Sequence, residues 1–306
     1  MKGIWLKLVV TGASGFVGSV LTESLLQDGH SLTLLTRRAP DSPSHTSKRW
    51  LHWTPGASGD WEGAIDGCDG IINLAGEPIA KRRWSVRRKE KIRLSRIGAT
   101  SVLVDAIAKA AQKPKFLINA SAIGYYGHRG AEMVDEESGS GDDFLASVCR
   151  DWEAEALKAE QLGCRVVPLR TGIVLGAGAG ALGKMLPPFQ CFVGGPLGDG
   201  HQWMSWIHVD DEVGLIRFVL ENEKAHGPVN ATAPNPVTNK DFSKTLARVM
   251  KRPCFLSVPA FALRGIFGEA AEMLLGSQRV IPKVATELGY QFRYPTLSGA
   301  LEDCVH

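Results

Sequence analysis

The sequence predicts an α/β protein in which a doubly wound parallel sheet is joined to a smaller C-terminal lobe. Short apolar strands alternate with helices from the N-terminus to Thr171, and such alternation is typical of right-handed β-α-β crossovers with helices on both faces of a sheet. Beyond Thr171 the alternation weakens, and residues 172–200 are rich in glycine and proline. We therefore predict a sheet domain over residues 1–175 and a smaller lobe over residues 176–306.

The individual elements follow from apolar runs and from helical periodicity. The predicted strands are residues 7–10, 31–35, 70–74, 116–120 and 166–169, and residues 41–47 are predicted to form a loop. The predicted helices are residues 17–26, 84–111, 151–161, 211–221, 260–267 and 282–288. Asp210 and Asp211 suit an N-cap for the fourth of these helices, which is expected to pack on the sheet. Residues 205–232 are therefore expected to return to the sheet domain.

Composition excludes several classes of protein. The 306 residues are 44% hydrophobic and 22% charged, which excludes a disordered chain. No run approaches the roughly 18 uncharged apolar residues that a membrane span needs, so we expect no membrane partner. The six cysteines are scattered without a C-x-x-C pair, which indicates reduced thiols and a cytoplasmic location. The eight histidines show no ligand spacing, and no metal site is predicted.

Positive charge is concentrated in one segment, although the net charge is only +3. Residues 81–96 hold nine basic side chains and one acid, so this window carries +8 while the rest of the chain carries −5. No zinc spacing, RNP pattern or basic zipper accompanies this basic run, so we expect no nucleic-acid partner. Two interpretations stay open: a solvated cationic helix face, or a few side chains turned toward a ligand that bears phosphate.

A glycine-rich turn of the form T-G-x-x-G-x-x-G spans residues 11–18, between the first predicted strand and the first predicted helix. Glycine is needed where the chain turns tightly, where backbone approaches a pyrophosphate, and where helix packs closely on strand. The helix N-terminus then presents unpaired N–H groups to the phosphates. This context predicts a Rossmann-type sheet that binds a dinucleotide. The predicted contacts are Gly12, Ser14, Gly15, Phe16, Val17 and Gly18.

The second strand ends in Thr36-Arg37-Arg38 and not in an acid. An acid at this position would bind a ribose 2′-hydroxyl, whereas an arginine accommodates a 2′-phosphate with its planar fork. We therefore predict NADP as the cofactor, bound by Thr36, Arg37 and Arg38. The alternative is that the arginines form an exposed surface pair.

The chain resembles the extended short-chain dehydrogenase/reductases, and more narrowly the YfcH-like group of atypical members, which is associated with nucleoside-diphosphate-sugar epimerases. The resemblance covers essentially the whole chain. Besides the glycine turn, it rests on residues 73–78 (NLAGEP), Trp84 with Ser95 and Arg96, Ser121, residues 206–211 (WIHVDD), and residues 275–294 with QRVIP at 278–282.

This resemblance implies further cofactor contacts. Ser95 stands where many extended members have the asparagine of an N-V-x-G motif, and Lys91, Ser95 and Arg96 are our candidates for turning inward from the basic run. Arg170 matches the arginine of a strand-end motif. The contacts predicted in this way are Leu74, Ala75, Gly76, Lys91, Ser95, Arg96, Asn119, Ala120 and Arg170.

The chain departs from the family at the catalytic helix. Members that move a hydride present Tyr-x-x-x-Lys there, but the corresponding positions are Leu145 and Cys149. We predict that Ser121 and Tyr125 act as the catalytic residues instead. A tyrosine is a poor base at neutral pH unless a cation favours the phenolate, and Lys91, Arg96 or Arg170 would supply it. The alternative is that Tyr125 only packs.

Two functions follow from these predictions. The first is an NADP-dependent oxidoreductase or epimerase that acts on a small-molecule substrate, nucleotide-linked or not, held by the C-terminal substrate lobe. The second is a non-catalytic NADP(H)-binding redox sensor. The missing Tyr/Lys pair favours the sensor, and the Gly/Pro-rich lobe with its aromatic and histidine residues favours the enzyme. The sequence indicates no particular oligomeric state.

Overall fold

Thirteen strands are found in the computed structural model, which describes residues 5–38, 47–80 and 83–305. They are β1 (Lys7–Thr11), β2 (Ser31–Thr36), β3 (Lys48–His52), β4 (Gly70–Asn73), β5 (Phe116–Ala122), β6 (Met133–Val134), β7 (Arg165–Thr171), β8 (Ile173–Leu175), β9 (Trp203–Met204), β10 (Trp206–His208), β11 (Val229–Ala231), β12 (Val237–Thr238) and β13 (Arg279–Val280). The loop predicted over residues 41–47 lies outside the described residues except for Ser47.

Seven of these strands form one parallel sheet in the order β11-β7-β5-β4-β1-β2-β3. The chain order reverses at β1, where Thr11 lies between Leu35 of β2 and Asn73 of β4. Ligands bind at such a switch point, outside the carboxyl ends of the strands. The predicted doubly wound sheet is thereby confirmed. The sequence reasoning missed its two edge strands, β3 and β11.

The described helices are α1 (Phe16–Gln27), α2 (Val86–Arg93), α3 (Ala99–Lys109), α4 (Phe144–Leu157), α5 (Leu182–Gln190), α6 (Val209–Glu221), α7 (Asn239–Met250), α8 (Ala260–Phe267), α9 (Glu272–Leu275), α10 (Lys283–Glu287) and α11 (Leu297–Val305). Short 3-10 turns cover Asp60–Ala64, Ile123–Tyr126, Lys158–Leu162 and Gly268–Ala271. A π-helical turn, Leu94–Gly98, joins α2 to α3. No helix among the described residues is long and apolar enough to cross a bilayer.

Helices cover both faces of the sheet because its strands alternate in the direction of their side chains. Leu8 and Val10 point to the face covered by α1 and α6, whereas Val9 points to the face covered by α3 and α4. Beyond β7, α5, α7 and α11 build a third core around Trp206 and Phe242. Residues 205–232 contribute α6 to the sheet's cover and β11 to its edge. The boundary at residue 175 itself stays a prediction.

Three predicted helix starts are wrong. Helix α4 begins at Phe144, seven residues before the predicted start, because the Asp143 side chain accepts from the Ala146 N–H and caps it. Helix α6 is capped by His208, whose Nδ1 accepts from the Asp210 N–H at 3.1 Å, and not by the aspartates. The single helix predicted over residues 84–111 starts at Val86 and is interrupted by the π-helical turn.

Candidate functional site

A glycine cradle, formed by Gly12, Gly15 and Gly18, joins β1 to α1. Gly12 has a φ of 72°, and a Cβ there would lie 2.6 Å from the Leu74 carbonyl oxygen. A Cβ on Gly18 would lie 2.2 Å from the Gly12 carbonyl oxygen, so only glycine lets the helix pack this closely on the turn. The close packing of β1, α1 and the loop after β4 therefore requires residues without side chains at Gly12 and Gly18.

The N-terminus of α1 is open to a ligand. Gly15 is its N-cap, no described side chain caps the first turn, and both Ser14 and Gly15 are exposed. The half-buried Phe16 ring packs instead toward the C-terminal lobe, where it lies against Gly176 and Gly180. An uncapped helix start carries unpaired N–H donors and partial positive charge, which fit a pyrophosphate.

The end of β2 presents two arginines. The buried Thr36 hydroxyl donates to the Arg38 carbonyl oxygen at 3.0 Å and accepts from the Arg38 N–H at 3.3 Å, which holds the backbone in a turn. The Arg37 and Arg38 side chains are exposed and form no ion pair with a described residue. They are therefore accessible to a ligand, and their contact with the cofactor stays a prediction.

A buried polar network ties the ends of β1, β4 and β5 together. Asn73 accepts from the Thr11 hydroxyl at 2.6 Å, and its amide donates to Asn119 at 2.7 Å and to Thr100 at 3.0 Å. Thr100 also accepts from the Trp152 indole at 2.8 Å. Four residues of this network are 0% exposed: Thr11, Asn73, Thr100 and Asn119. The Asn119 side chain thereby aligns the strand ends from behind, and the predicted cofactor contact of Asn119 stays a prediction.

The loop after β4 is held by the π-helical turn. The Ser95 hydroxyl accepts from the Glu77 N–H at 3.0 Å, and Arg96 Nη1 donates to the Glu77 carbonyl oxygen at 3.1 Å. This leaves Leu74 half-buried and Gly76 exposed at the sheet edge, with Ala75 buried between them. Such π-helical turns are frequent at functional sites.

The structure divides the basic run. Ser95 and Arg96 turn inward as predicted, whereas Lys91 is exposed, so the inward turn predicted for it is wrong. Other members reach the C-terminal lobe: Arg83 donates to the Gly265 carbonyl oxygen at 2.5 Å, and Lys89 pairs with Glu269. Part of the run therefore joins the two halves of the chain, which neither interpretation of the sequence anticipated.

A buried group of polar side chains, the Glu153–Arg170 cluster, lies under the ends of β5 and β7; it consists of Ser121, Tyr126, Glu153 and Arg170. Arg170 donates to both Glu153 oxygens at 2.8 and 2.9 Å and to the Tyr126 hydroxyl at 3.0 Å. Burial alone would lower the pKa of Arg170, but hydrogen bonds and the charge of Glu153 outweigh it and raise this pKa. Arg170 is 3% exposed and its partners lie within the protein, so its predicted contact with the cofactor has no support in this arrangement and stays a prediction.

The two predicted catalytic residues differ in their surroundings. The Ser121 hydroxyl is 5% exposed and donates to Glu153 at 2.5 Å. Tyr125 is half-buried, and its ring lies over the Arg170 guanidinium, with 3.5 Å between Cζ and the ring centroid. The Tyr125 hydroxyl makes no hydrogen bond to a described residue. Ala120, which was predicted as a cofactor contact, lies one residue before Ser121 and is also half-buried.

Leu145 and Cys149, which occupy the positions of the family's Tyr/Lys pair, lie beside Gly124, the residue before Tyr125. A Cβ on Gly124 would touch Leu145 Cβ at 3.4 Å and Cys149 Sγ at 3.8 Å. Burial raises the pKa of the Cys149 thiol to about 12, so at neutral pH it is an uncharged group. Neither side chain supplies a cation here.

One titratable group at this edge escaped the sequence reasoning. Glu212, in the first turn of α6, is 2% exposed, and its Oε1 accepts from the Thr171 hydroxyl at 2.8 Å. Its Oε2 has no described partner, and burial raises the pKa of Glu212 to about 8. An acid in a first helical turn is ordinarily exposed and favourable, so nothing in the sequence distinguishes this one. Among the described residues, no three metal-ligating side chains are grouped.

Comparisons with known proteins agree with this architecture. Residues 8–231 match the NAD dependent epimerase/dehydratase family, and residues 258–304 match a domain of unknown function (DUF1731). The Arabidopsis thaliana epimerase family protein SDR39U1 homolog, chloroplastic, is 44% identical over 95% of this chain and 84% of its own. The cytoplasmic location expected for this chain stays a prediction.

Two solved structures are similar over nearly the whole chain. Human epimerase family protein SDR39U1 (isoform2), crystallised with NADPH, is 36% identical, with a TM-score of 0.88 over 98% of this chain and 99% of that one. The nucleoside-diphosphate sugar epimerase from Corynebacterium glutamicum is 37% identical, with a TM-score of 0.78 over 99% of this chain and 59% of that one. With the family match and these relatives, the resemblance drawn from the motifs is confirmed: the chain belongs to the NAD dependent epimerase/dehydratase family.

Proposed function

We propose that the protein binds NADP(H) at the carboxyl edge of its sheet and uses it to oxidise or reduce a small molecule, as an oxidoreductase or epimerase. The observation that carries the proposal is the uncapped N-terminus of α1 above the glycine cradle, with exposed Arg37 and Arg38 on the neighbouring strand. The NADPH in the structure of the human relative supports the same cofactor here.

Each part of this edge has a role in cofactor binding. The N–H groups of Ser14 and of Phe16, Val17 and Gly18 at the start of α1 bind the pyrophosphate, whereas the Gly15 N–H donates to the Gly12 carbonyl oxygen at 2.9 Å. Arg37 and Arg38 bind the 2′-phosphate with charge-assisted hydrogen bonds. The backbone and small side chains of Leu74, Ala75 and Gly76 line the cofactor. When bound, the dinucleotide supplies a hydride donor or acceptor at its nicotinamide ring.

A proton must also move, and Tyr125 is the better candidate to carry it. Its hydroxyl has no described hydrogen-bond partner, whereas the Ser121 hydroxyl already donates to Glu153. The Arg170 guanidinium packs against the Tyr125 ring, which places a positive charge beside the phenol. Ser121 then acts by holding Glu153, and through it Arg170, in position.

Cofactor preference tests the first part of the proposal. We expect calorimetric titration of the native protein to show NADPH bound more tightly than NADH by about ten- to a hundredfold, since charge-assisted hydrogen bonds contribute about 1.5–3 kcal/mol each. Arg37→Asp should abolish this difference, whereas Arg49→Asp, which changes an exposed arginine on the adjacent β3, should retain it. Equal affinities of the native protein for the two cofactors would refute the assignment.

The second candidate function is a non-catalytic NADP(H) sensor. Leu145 and the neutral Cys149 favour it, because they leave the usual proton-transfer positions without a titratable group at neutral pH. A screen of small carbonyl compounds and sugar nucleotides for NADPH oxidation separates the two functions. Turnover of any of these compounds excludes the pure sensor.

A further inference from the structure

Arg96 places a cation between the ends of β4 and β5. Its guanidinium lies flat on Gly76, where a Cβ would be 3.1 Å from Nη2 and 3.2 Å from Cζ. Its Cζ is 5.3 Å from the Trp152 ring centroid, and its charge opposes the rise in the pKa of the Cys149 thiol. Arg96 therefore brings positive charge, from a different helix, toward the position at which the family carries a lysine.

The charge of Arg96 is only partly satisfied by the protein. Nη1 donates to the carbonyl oxygens of Glu77 and Ile92, but Nε and Nη2 make no hydrogen bond to a described residue. No described carboxylate lies within 4 Å of Arg96, and that of Glu77 pairs with Arg88 at 2.7 Å. Burial lowers the pKa of Arg96 although the charge of Glu77 opposes this shift, which means that the site disfavours an isolated cation. A ligand that brings negative charge would offset this cost.

The π-helical turn is what aims this side chain. It places Ser95 and Arg96 under the loop after β4, where both bind the backbone of Glu77. The exposed Arg87, in α2, has no such support and forms no ion pair with a described residue. The two arginines differ in structure although they belong to one basic run.

We propose that Arg96 binds a carboxylate or phosphate group of the substrate, so that the protein acts on acids. Two donors of a planar guanidinium match the two oxygens of such a group. The proposal rests on the proposed function, since it assumes that substrate enters beside the cofactor at this edge. The cofactor's own pyrophosphate is the other source of an anion, but the start of α1 is already suited to bind it.

Calorimetry on the native protein, Arg96→Gln and Arg87→Gln tests this proposal. Each is titrated first with NADPH and then, saturated with NADP⁺, with inorganic phosphate, pyruvate and the neutral pyruvamide. Arg96→Lys retains the positive charge but lacks the two-donor guanidinium, and it serves as a conservative variant. Thermal melting curves for all variants show whether each one is folded.

We expect phosphate or pyruvate to bind the native protein and Arg87→Gln, and to bind Arg96→Gln about ten- to a hundredfold more weakly. Pyruvamide should not bind, and the NADPH affinity of Arg87→Gln should agree with that of the native protein within about threefold. Absence of anion binding to the native protein, or equal binding to Arg96→Gln, overturns the proposal. A tenfold loss of NADPH affinity in Arg96→Gln also overturns it, because the anion would then be the cofactor's. Failure of the proposed function gives a different result, because the native protein would then not bind NADPH. In that case the same anions are titrated without cofactor, and their binding is compared between the native protein and Arg96→Gln.

Discussion

The glycine cradle and the Glu153–Arg170 cluster lie along the same edge of the sheet, but different interactions hold them in place. The cradle depends on backbone oxygens that lie 2.2–3.2 Å from the Cβ positions that its glycines lack. The cluster depends on an ion pair between α4 and β7 and on hydroxyl groups from β5 and the turn after it, with Ser121 and Glu153 separated by 32 residues. A larger side chain at a glycine position is therefore expected to disrupt the glycine cradle, whereas loss of a charged side chain is expected to disrupt the Glu153–Arg170 cluster.

Substitution at Tyr125 is expected to have the largest effect on function. Loss of a general acid–base typically costs about 10²–10⁴ in rate, so Tyr125→Phe should lower turnover by that factor on any substrate that the NADPH screen identifies. NADPH affinity should not change. Tyr294→Phe, which removes a hydroxyl bound to Asp303 near the C-terminus, is the matched control. A change of less than about threefold in both Tyr125→Phe and Ser121→Ala would mean that the proton comes from another group.

Glu153→Gln is expected to have the largest effect on stability. It leaves the Arg170 cation buried without a counter-charge, which typically costs about 3–5 kcal/mol and is measurable by urea unfolding. Glu155→Gln, on the same helix but in the more exposed pair with Lys158, should cost less than about 1 kcal/mol.

A double variant distinguishes charge from packing in this cluster. Glu153→Leu combined with Arg170→Met removes both charges, so it should recover most of the free energy of unfolding that Glu153→Gln loses. If the double variant is less stable than Glu153→Gln, then hydrogen bonding to Ser121 and Tyr126 matters more than the ion pair.

Gly18→Ala is expected to have a smaller but specific effect. The new Cβ meets the Gly12 carbonyl oxygen, so α1 must shift away from β1, and overpacking of this kind costs about 1–3 kcal/mol. Because the start of α1 moves as well, calorimetric NADPH affinity should fall with the melting temperature. Gly63→Ala is the control, since no heavy atom lies within 4 Å of its added Cβ. Unchanged affinity in a folded Gly18→Ala protein would show that the cradle does not position the phosphate site.

Much of the sheet was determined by sequence pattern alone. Each apolar run of the sheet is buried on both faces, and such a run is recognisable without knowledge of its neighbours. The edge strands were missed because their own residues carry little signal: β3 reads KRWLH, and β11 has three residues. Helix α4 was placed too late because its first turns, from Phe144 to Arg150, follow a glycine- and acid-rich loop that obscures the periodicity.

Among the site residues, those whose role is local were predicted, and those whose role depends on distant partners were not. Glycine spacing and a strand that ends in Arg37-Arg38 indicate a nucleotide turn because backbone geometry and a terminal charge act over a few residues. Only the tertiary structure decided that Arg170 and Asn119 turn into the protein, that Lys91 stays exposed, and that Glu212 is buried. Burial and the choice of counter-charge are set by elements far apart in the chain, so the same residue types could equally have faced solvent.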